Sequence, residues 1–215
     1  MRYDIPNHFS LVKKVYPSWG ALFEKIHARD LRAQDIKRIL GLSYRQLNDW
    51  STQGLILTVS ERASGPKSEG WRKYAIADLL PLAVLRELKA RRLPVEGVGH
   101  SLNSPEASLF SAYEIFPDFV YGDHLVFFTN LARTNYIIPC EPGQDSIPIR
   151  PEDLTRPESE MMAMFHLNRL MDEIFGNLKR KDFEAIREPD GGYRFIINGV
   201  PLTLEELPEI NFERG

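Results

Sequence analysis

Apolar and polar positions in the first hundred residues recur mostly every three or four residues, the spacing that turns one face of a helix toward a core. Leu11, Val15, Trp19, Leu22, Phe23 and Ile26 keep this spacing across residues 7–30, where Pro17 is expected to break or restart the helix. Ala33, Ile36, Ile39 and Leu40 form a second, shorter stripe that runs into Gly41, a residue suited to the left-handed turn that stops a helix. Ser43 and Gln46 then stand at the spacing of a capping box, so a new helix starts at once and Gly54 ends it. With Leu42, Leu47 and Trp50 turned toward the preceding helix, the pair predicts a helix-turn-helix unit.

Residues 55–60, "LILTVS", and 71–75, "WRKYA", have strand composition. The polar stretch "ERASGPKSEG" between them makes a hairpin with a long, basic-tipped loop, which is a wing. A helix follows over residues 76–93, with Leu79, Leu82, Leu85 and Leu88 on its core face and Pro81 within its first turn. Residues 94–102 add a turn or two of helix weakened by Gly97 and Gly99. Beyond that the pattern changes. A helix is expected over 105–116 and strands over 119–128 and 133–139, followed by an irregular stretch rich in proline and acids to residue 157. A long helix is then expected over 158–181, and the tail holds strands separated by "PDGG" at 189–192 and "NG" at 198–199. The fold class is α+β, with an N-terminal helical extension (1–31), a winged helix-turn-helix (32–102) and a mixed strand and helix domain (103–215).

Charge sharpens this division. The net charge of −3 conceals 17 Lys and Arg against 9 Asp and Glu up to Pro94, and 10 against 21 beyond it. These are +8 and −11, and the basic half suits a polyanion such as double-stranded DNA. Cys140 is the only cysteine, which excludes an intrachain disulfide and zinc-finger ligand sets. No apolar run approaches the ~20 residues that cross a bilayer, and "MRYDIPNHFS" lacks the marks of a secretory signal, so a cytoplasmic location without membrane attachment is expected. His8, His27, His100, His124 and His166 show no metal spacing, and neither a catalytic constellation nor a cofactor motif is found. No enzyme activity is expected.

The second helix of the unit carries the candidate chemistry. With Leu47 and Trp50 inward, Arg45, Gln46, Asn48 and Asp49 face outward. Arginine pairs with guanine, and glutamine or asparagine with adenine, across the major groove. Ser43 and Tyr44 sit at the helix N-terminus, where phosphate is favoured. On the wing, Arg62, Lys67, Arg72 and Lys73 supply charge for phosphates, while Tyr74, like Trp50 and Trp71, either packs beneath the wing or adds a contact.

Two blocks of this region resemble the DNA-binding domain of MerR-type transcriptional regulators. One is "GLSYRQLNDWSTQGLI", where Gly41, Ser43, Arg45, Leu47, Trp50, Gly54 and Leu55 match the family's "GVSVRTLRYYERIGLL". The other, after the wing, is Gly70, Trp71, Arg72 and Tyr74 followed by Asp78 and Leu79, matching "GYRLY" and "DL". Asn48 and Asp49 depart from the arginine and aromatic common there. The resemblance covers roughly residues 32–102. It implies a transcription regulator that binds a pseudo-palindromic operator as a homodimer, with RNA polymerase and a small-molecule effector as further partners. Two alternatives stay open: an architectural DNA-binding module of phage or plasmid type, and an interaction scaffold that has lost DNA binding.

In the family a long helix after the DNA-binding domain forms the dimer. The corresponding candidate here lies in the expected helix 158–181, where Met161, Met164, Asn168, Met171, Phe175 and Leu178 fall at a and d positions of successive heptads. The competing reading is a helix that packs on its own strands, which Phe165, Leu167, Leu170 and Ile174 favour by widening the stripe. The aromatics of residues 110–136, among them Phe116 and Phe119, form either core or an apolar effector pocket.

Overall fold

Proline 17 sets how the chain begins. In the computed structural model, which describes residues 9–56, 59–60, 72–102, 112–122, 124–129, 135–140 and 163–207, helix α1 (Phe9–Val15) ends two positions before it, with Tyr16 between. Helix α2 (Pro17–His27) opens on it, since proline has no N–H to lose at the first helical position. Trp19, Leu22, Phe23 and Ile26 bury the inner face of α2. The N-terminus of α2 is capped from the far end of the chain. Glu205 accepts from the Ser18 N–H at 2.8 Å and the Trp19 N–H at 3.3 Å, and its backbone carbonyl takes the Trp19 indole N–H at 2.8 Å. A carboxylate there meets both the orphan donors and the positive end of the helix.

Strand β1 (Leu31–Arg32) leads into α3 (Ala33–Leu40) and α4 (Tyr44–Thr52), the expected helix-turn-helix. Strands β2 (Val59–Ser60) and β3 (Arg72–Tyr74) form the base of the wing. All three are antiparallel, in the order β1-β3-β2. The wing tip, with Arg62 and Lys67, lies outside the described residues. A 3-10 turn (Ile76–Asp78) feeds α5 (Leu79–Ala90), whose Leu79, Leu82, Leu85 and Leu88 are buried as the spacing predicts, and α6 (Glu96–Leu102) follows.

The second half departs from expectation at two places. The strand expected from residue 119 begins only at His124, because Phe119 and Val120 complete helix α7 (Ala112–Val120). Gly122, at φ +81°, then turns the chain into β4 (His124–Thr129). Strand β4 pairs with β5 (Asn135–Cys140) and with β6 (Ala163–His166), giving the order β5-β4-β6. Of the long helix expected over 158–181, the described part from residue 163 holds β6 followed by α8 (Leu167–Asn177). Burial alternates across residues 163–166, a period of two that marks a half-buried strand. Strands β7 (Phe183–Arg187), β8 (Tyr193–Ile197) and β9 (Val200–Leu202) close as a meander. Asn198 and Gly199, at φ 53° and 79°, supply the two positive angles that a tight hairpin turn requires.

The heptad seam is corrected with the helix. Met164 lies on strand β6, where it is 43% exposed, and Met161 lies outside the described residues. Asn168, Met171, Phe175 and Leu178 are buried within the chain. The Asn168 side chain accepts the Leu125 N–H at 2.7 Å and so fixes α8 to β4 rather than setting the register of two chains. Phe175 is an aromatic hub, with the rings of Phe116, Phe183, Tyr193 and Phe195 centred 5.0–6.5 Å away. Phe116 and Phe119 are buried and stack edge to face, as core.

One apolar cluster extends from Val12 to Leu207 and crosses both expected segment boundaries. A polar knot supports it: Arg180 bonds Asp30 at 2.5 and 2.7 Å and Asp182 at 2.7 and 2.8 Å, and Lys25 reaches Asp182 at 2.6 Å. Hydrogen bonds from Arg180 and then Lys25 hold the Asp182 carboxyl well below the usual carboxylate range. A depressed native pKa contributes stability that is present above the unfolded value and lost as pH falls beneath it, here below about pH 4. Asp182→Asn should therefore lose less stability than wild type between pH 7 and pH 3, measured by urea unfolding at each pH. Equal losses would show that the knot contributes nothing to acid sensitivity.

Candidate nucleic-acid interface

Helix α3 ends at Gly41, whose φ of 70° is the left-handed stop. Leu42 is buried, and Ser43 caps α4. The cap is reciprocal: Ser43 Oγ accepts the Gln46 N–H at 3.2 Å, while Gln46 Oε1 accepts the Ser43 N–H at 3.0 Å and the Ser43 hydroxyl at 2.8 Å. With Leu47 and Trp50 buried, the opposite face of α4 is set by geometry.

That face presents Tyr44, 64% exposed, together with Arg45, Asn48 and Asp49. The Arg45 side chain is 91% exposed, and a loose ion pair with Asp49 at 3.9 Å is its one salt bridge among the described residues. A pair of that kind stabilises a helix only slightly and yields readily to a better partner. Asp49 thus bonds along its own helix. Gln46 fills the capping role expected of it, and its carbonyl oxygen belongs to the cap. Two-pronged reading of adenine needs both ends of the carboxamide, so it would cost the helix its N-terminal cap. Ser43 is likewise a cap first.

Lys73 pairs through its backbone with Arg32 on one side and Val59 on the other, and is half-buried. Arg72 pairs with Ser60. Tyr74 is 1% exposed and belongs to the core beneath the wing, which removes it from the set of direct contacts. A basic run not singled out from the sequence, Lys89, Arg91 and Arg92, leaves the end of α5 exposed. Lys89 Nζ lies 5.6 Å from the centre of the Trp50 ring, which places Lys89 beside α4, while the Arg91 guanidinium lies 4.8 Å from the centre of the Phe165 ring of β6. Three basic residues in four positions just before Pro94 were the available clue. Among the described residues no cluster of His, Cys, Asp and Glu could hold a metal ion, and no helix is long and apolar enough to cross a membrane.

A capped helix with an exposed guanidinium, a two-helix turn and a three-stranded wing base together define a winged helix-turn-helix DNA-binding domain. Residues 31–104 match the family described as MerR HTH family regulatory protein, and this part of the chain is a MerR-type helix-turn-helix domain. No curated protein matches the chain.

The cap and the reading face separate in their expected effects. Ser43→Ala should lower stability by about 1 kcal/mol, since it leaves the Gln46 N–H without its acceptor. Arg45→Ala should leave stability within about 0.5 kcal/mol of wild type, as an exposed surface substitution. Chemical denaturation of both variants checks this, and a larger loss for Arg45→Ala would mean that Arg45 is structural.

Proposed function

We propose that the chain is a sequence-specific, non-catalytic DNA-binding regulator, working in the cytoplasm, whose α4 enters the major groove of its operator. The observation that carries this reading is the exposure of Arg45 on a helix whose other face is fully buried. Arg45 and Asn48 read base edges, with guanine the natural partner of the guanidinium. Tyr44 and the wing residues Arg62, Lys67, Arg72 and Lys73 meet phosphates, as do Lys89 and Arg92 at the end of α5. Ser43 and Gln46 hold the start of α4 in position, close to the backbone of the duplex.

Binding is dimeric on a pseudo-palindromic operator. One short helix offers too few base-reading side chains for high specificity, and a two-fold pair doubles them at a fixed half-site spacing. The burial of Met171, Phe175 and Leu178 leaves pairing to a surface other than α8.

Arg45→Ala should weaken binding to the preferred duplex by ~1–3 kcal/mol and leave a scrambled duplex nearly unaffected. Arg62→Ala combined with Lys67→Ala should weaken both duplexes alike and reduce the slope of log K against log salt by ~0.9 for each lost contact. Equal losses on both duplexes for Arg45→Ala would remove α4 from base reading.

A further inference from the structure

A helix leaves its last carbonyls without partners inside the helix, and each must be met by something else. At the end of α3, Gly41 returns its N–H to the Lys37 carbonyl at 2.9 Å. The carbonyls of Ile39 and Leu40, immediately before the turn into α4, are met from farther away. Asn177 Nδ2, on the last residue of α8, donates to the Ile39 carbonyl at 3.1 Å. Arg86 of α5 reaches the Leu40 carbonyl at 3.4 Å, while Glu173 of α8 grips the same guanidinium at 2.5 and 2.7 Å. Arg38 completes the exchange by donating to the Asn177 carbonyl at 2.6 Å.

Two helix C-termini therefore meet here, each the negative end of its dipole, and the guanidinium groups of Arg38 and Arg86 offset that repulsion. Hydrogen bonds from Arg86 hold the Glu173 carboxyl below the usual range. Three residues beyond Asn177, Arg180 binds Asp30, the residue before β1, and β1 pairs with β3 of the wing base. A ten-residue stretch, 173–182, thus grips both the turn of the helix-turn-helix and the foot of the wing.

We propose that Asn177, Glu173 and Arg180 are positioning residues for DNA reading: the C-terminal half sets the relative orientation of α4 and the wing through them, so that a displacement of α8 alters sequence discrimination. The inference rests on the DNA-binding reading of α4. Asn177 is exposed and contributes no apolar core, so its truncation is compatible with folding. The full chain carrying Asn177→Ala should lose about 3- to 10-fold in affinity for its preferred duplex while keeping its affinity for a scrambled duplex within about twofold. Amide hydrogen exchange, measured without DNA, should quicken at Leu42–Leu47 and remain unchanged in β8. A core variant away from α8, Val12→Ala on α1, which packs against α2, serves as the comparison. It should lower thermal stability more than Asn177→Ala yet preserve the ratio of the two affinities.

Unchanged exchange at Leu42–Leu47, or a ratio of affinities in Asn177→Ala equal to that of wild type, would overturn the positioning role. A wild-type chain with no salt-dependent affinity for any duplex would overturn the DNA-binding reading instead, and the exchange measurement would still decide whether α8 governs α4.

Discussion

The structure depends on how α3 is brought to an end. Gly41 supplies the left-handed residue, but the carbonyls of Ile39 and Leu40 need donors that the turn itself does not provide. Those donors come from α8 and from an α5 arginine held by α8, which returns to this place some 140 positions later in the chain. Helix α4 begins at Tyr44, four residues after Leu40. Its direction follows from local chemistry at Ser43 and Gln46 and from distant chemistry at Asn177 and Glu173 together. Neither set alone would fix α4, because a cap sets where a helix starts and not which way the preceding helix points.

This junction also gives the charge asymmetry of the chain a second meaning. Lys25, Arg38 and Arg86 belong to the basic half and find acceptors in Asp182, the Asn177 carbonyl and Glu173 of the acidic half. Part of the imbalance is therefore internal complementarity between two packed halves. Arg45 and the end of α5 stay exposed outside this internal pairing.

Much of the first half could be read from the sequence because its determinants lie close together along the chain. Gly41 and the Ser43–Gln46 pair fall within six positions, and the stripe of α3 repeats within eight residues. The same was true of Asn198–Gly199, where two adjacent residues determine the hairpin. The region before α8 was misread because Met164 and Asn168 fit a heptad equally well when a strand runs directly into a helix. Only the pairing of β6 with β4, a contact across about forty residues, separates the two readings. At the site, Arg45 and Asn48 were legible from their place opposite Leu47 and Trp50. Gln46 was legible both as a cap and as a base reader, and the geometry shows its oxygen in the cap. Asn177, Arg86 and Arg180 were not legible, since an exposed asparagine or arginine has no local pattern that names a partner on another element.

The central claim is that residues 31–104 give this chain a preference for particular DNA sequences through α4. Selection of bound duplexes from a random pool, using the full chain at physiological salt, tests it most directly. The account predicts enrichment of one motif arranged as an inverted repeat, with guanine at a fixed place in each half-site where Arg45 reads. A pool that emerges with the composition it had at the start would contradict it.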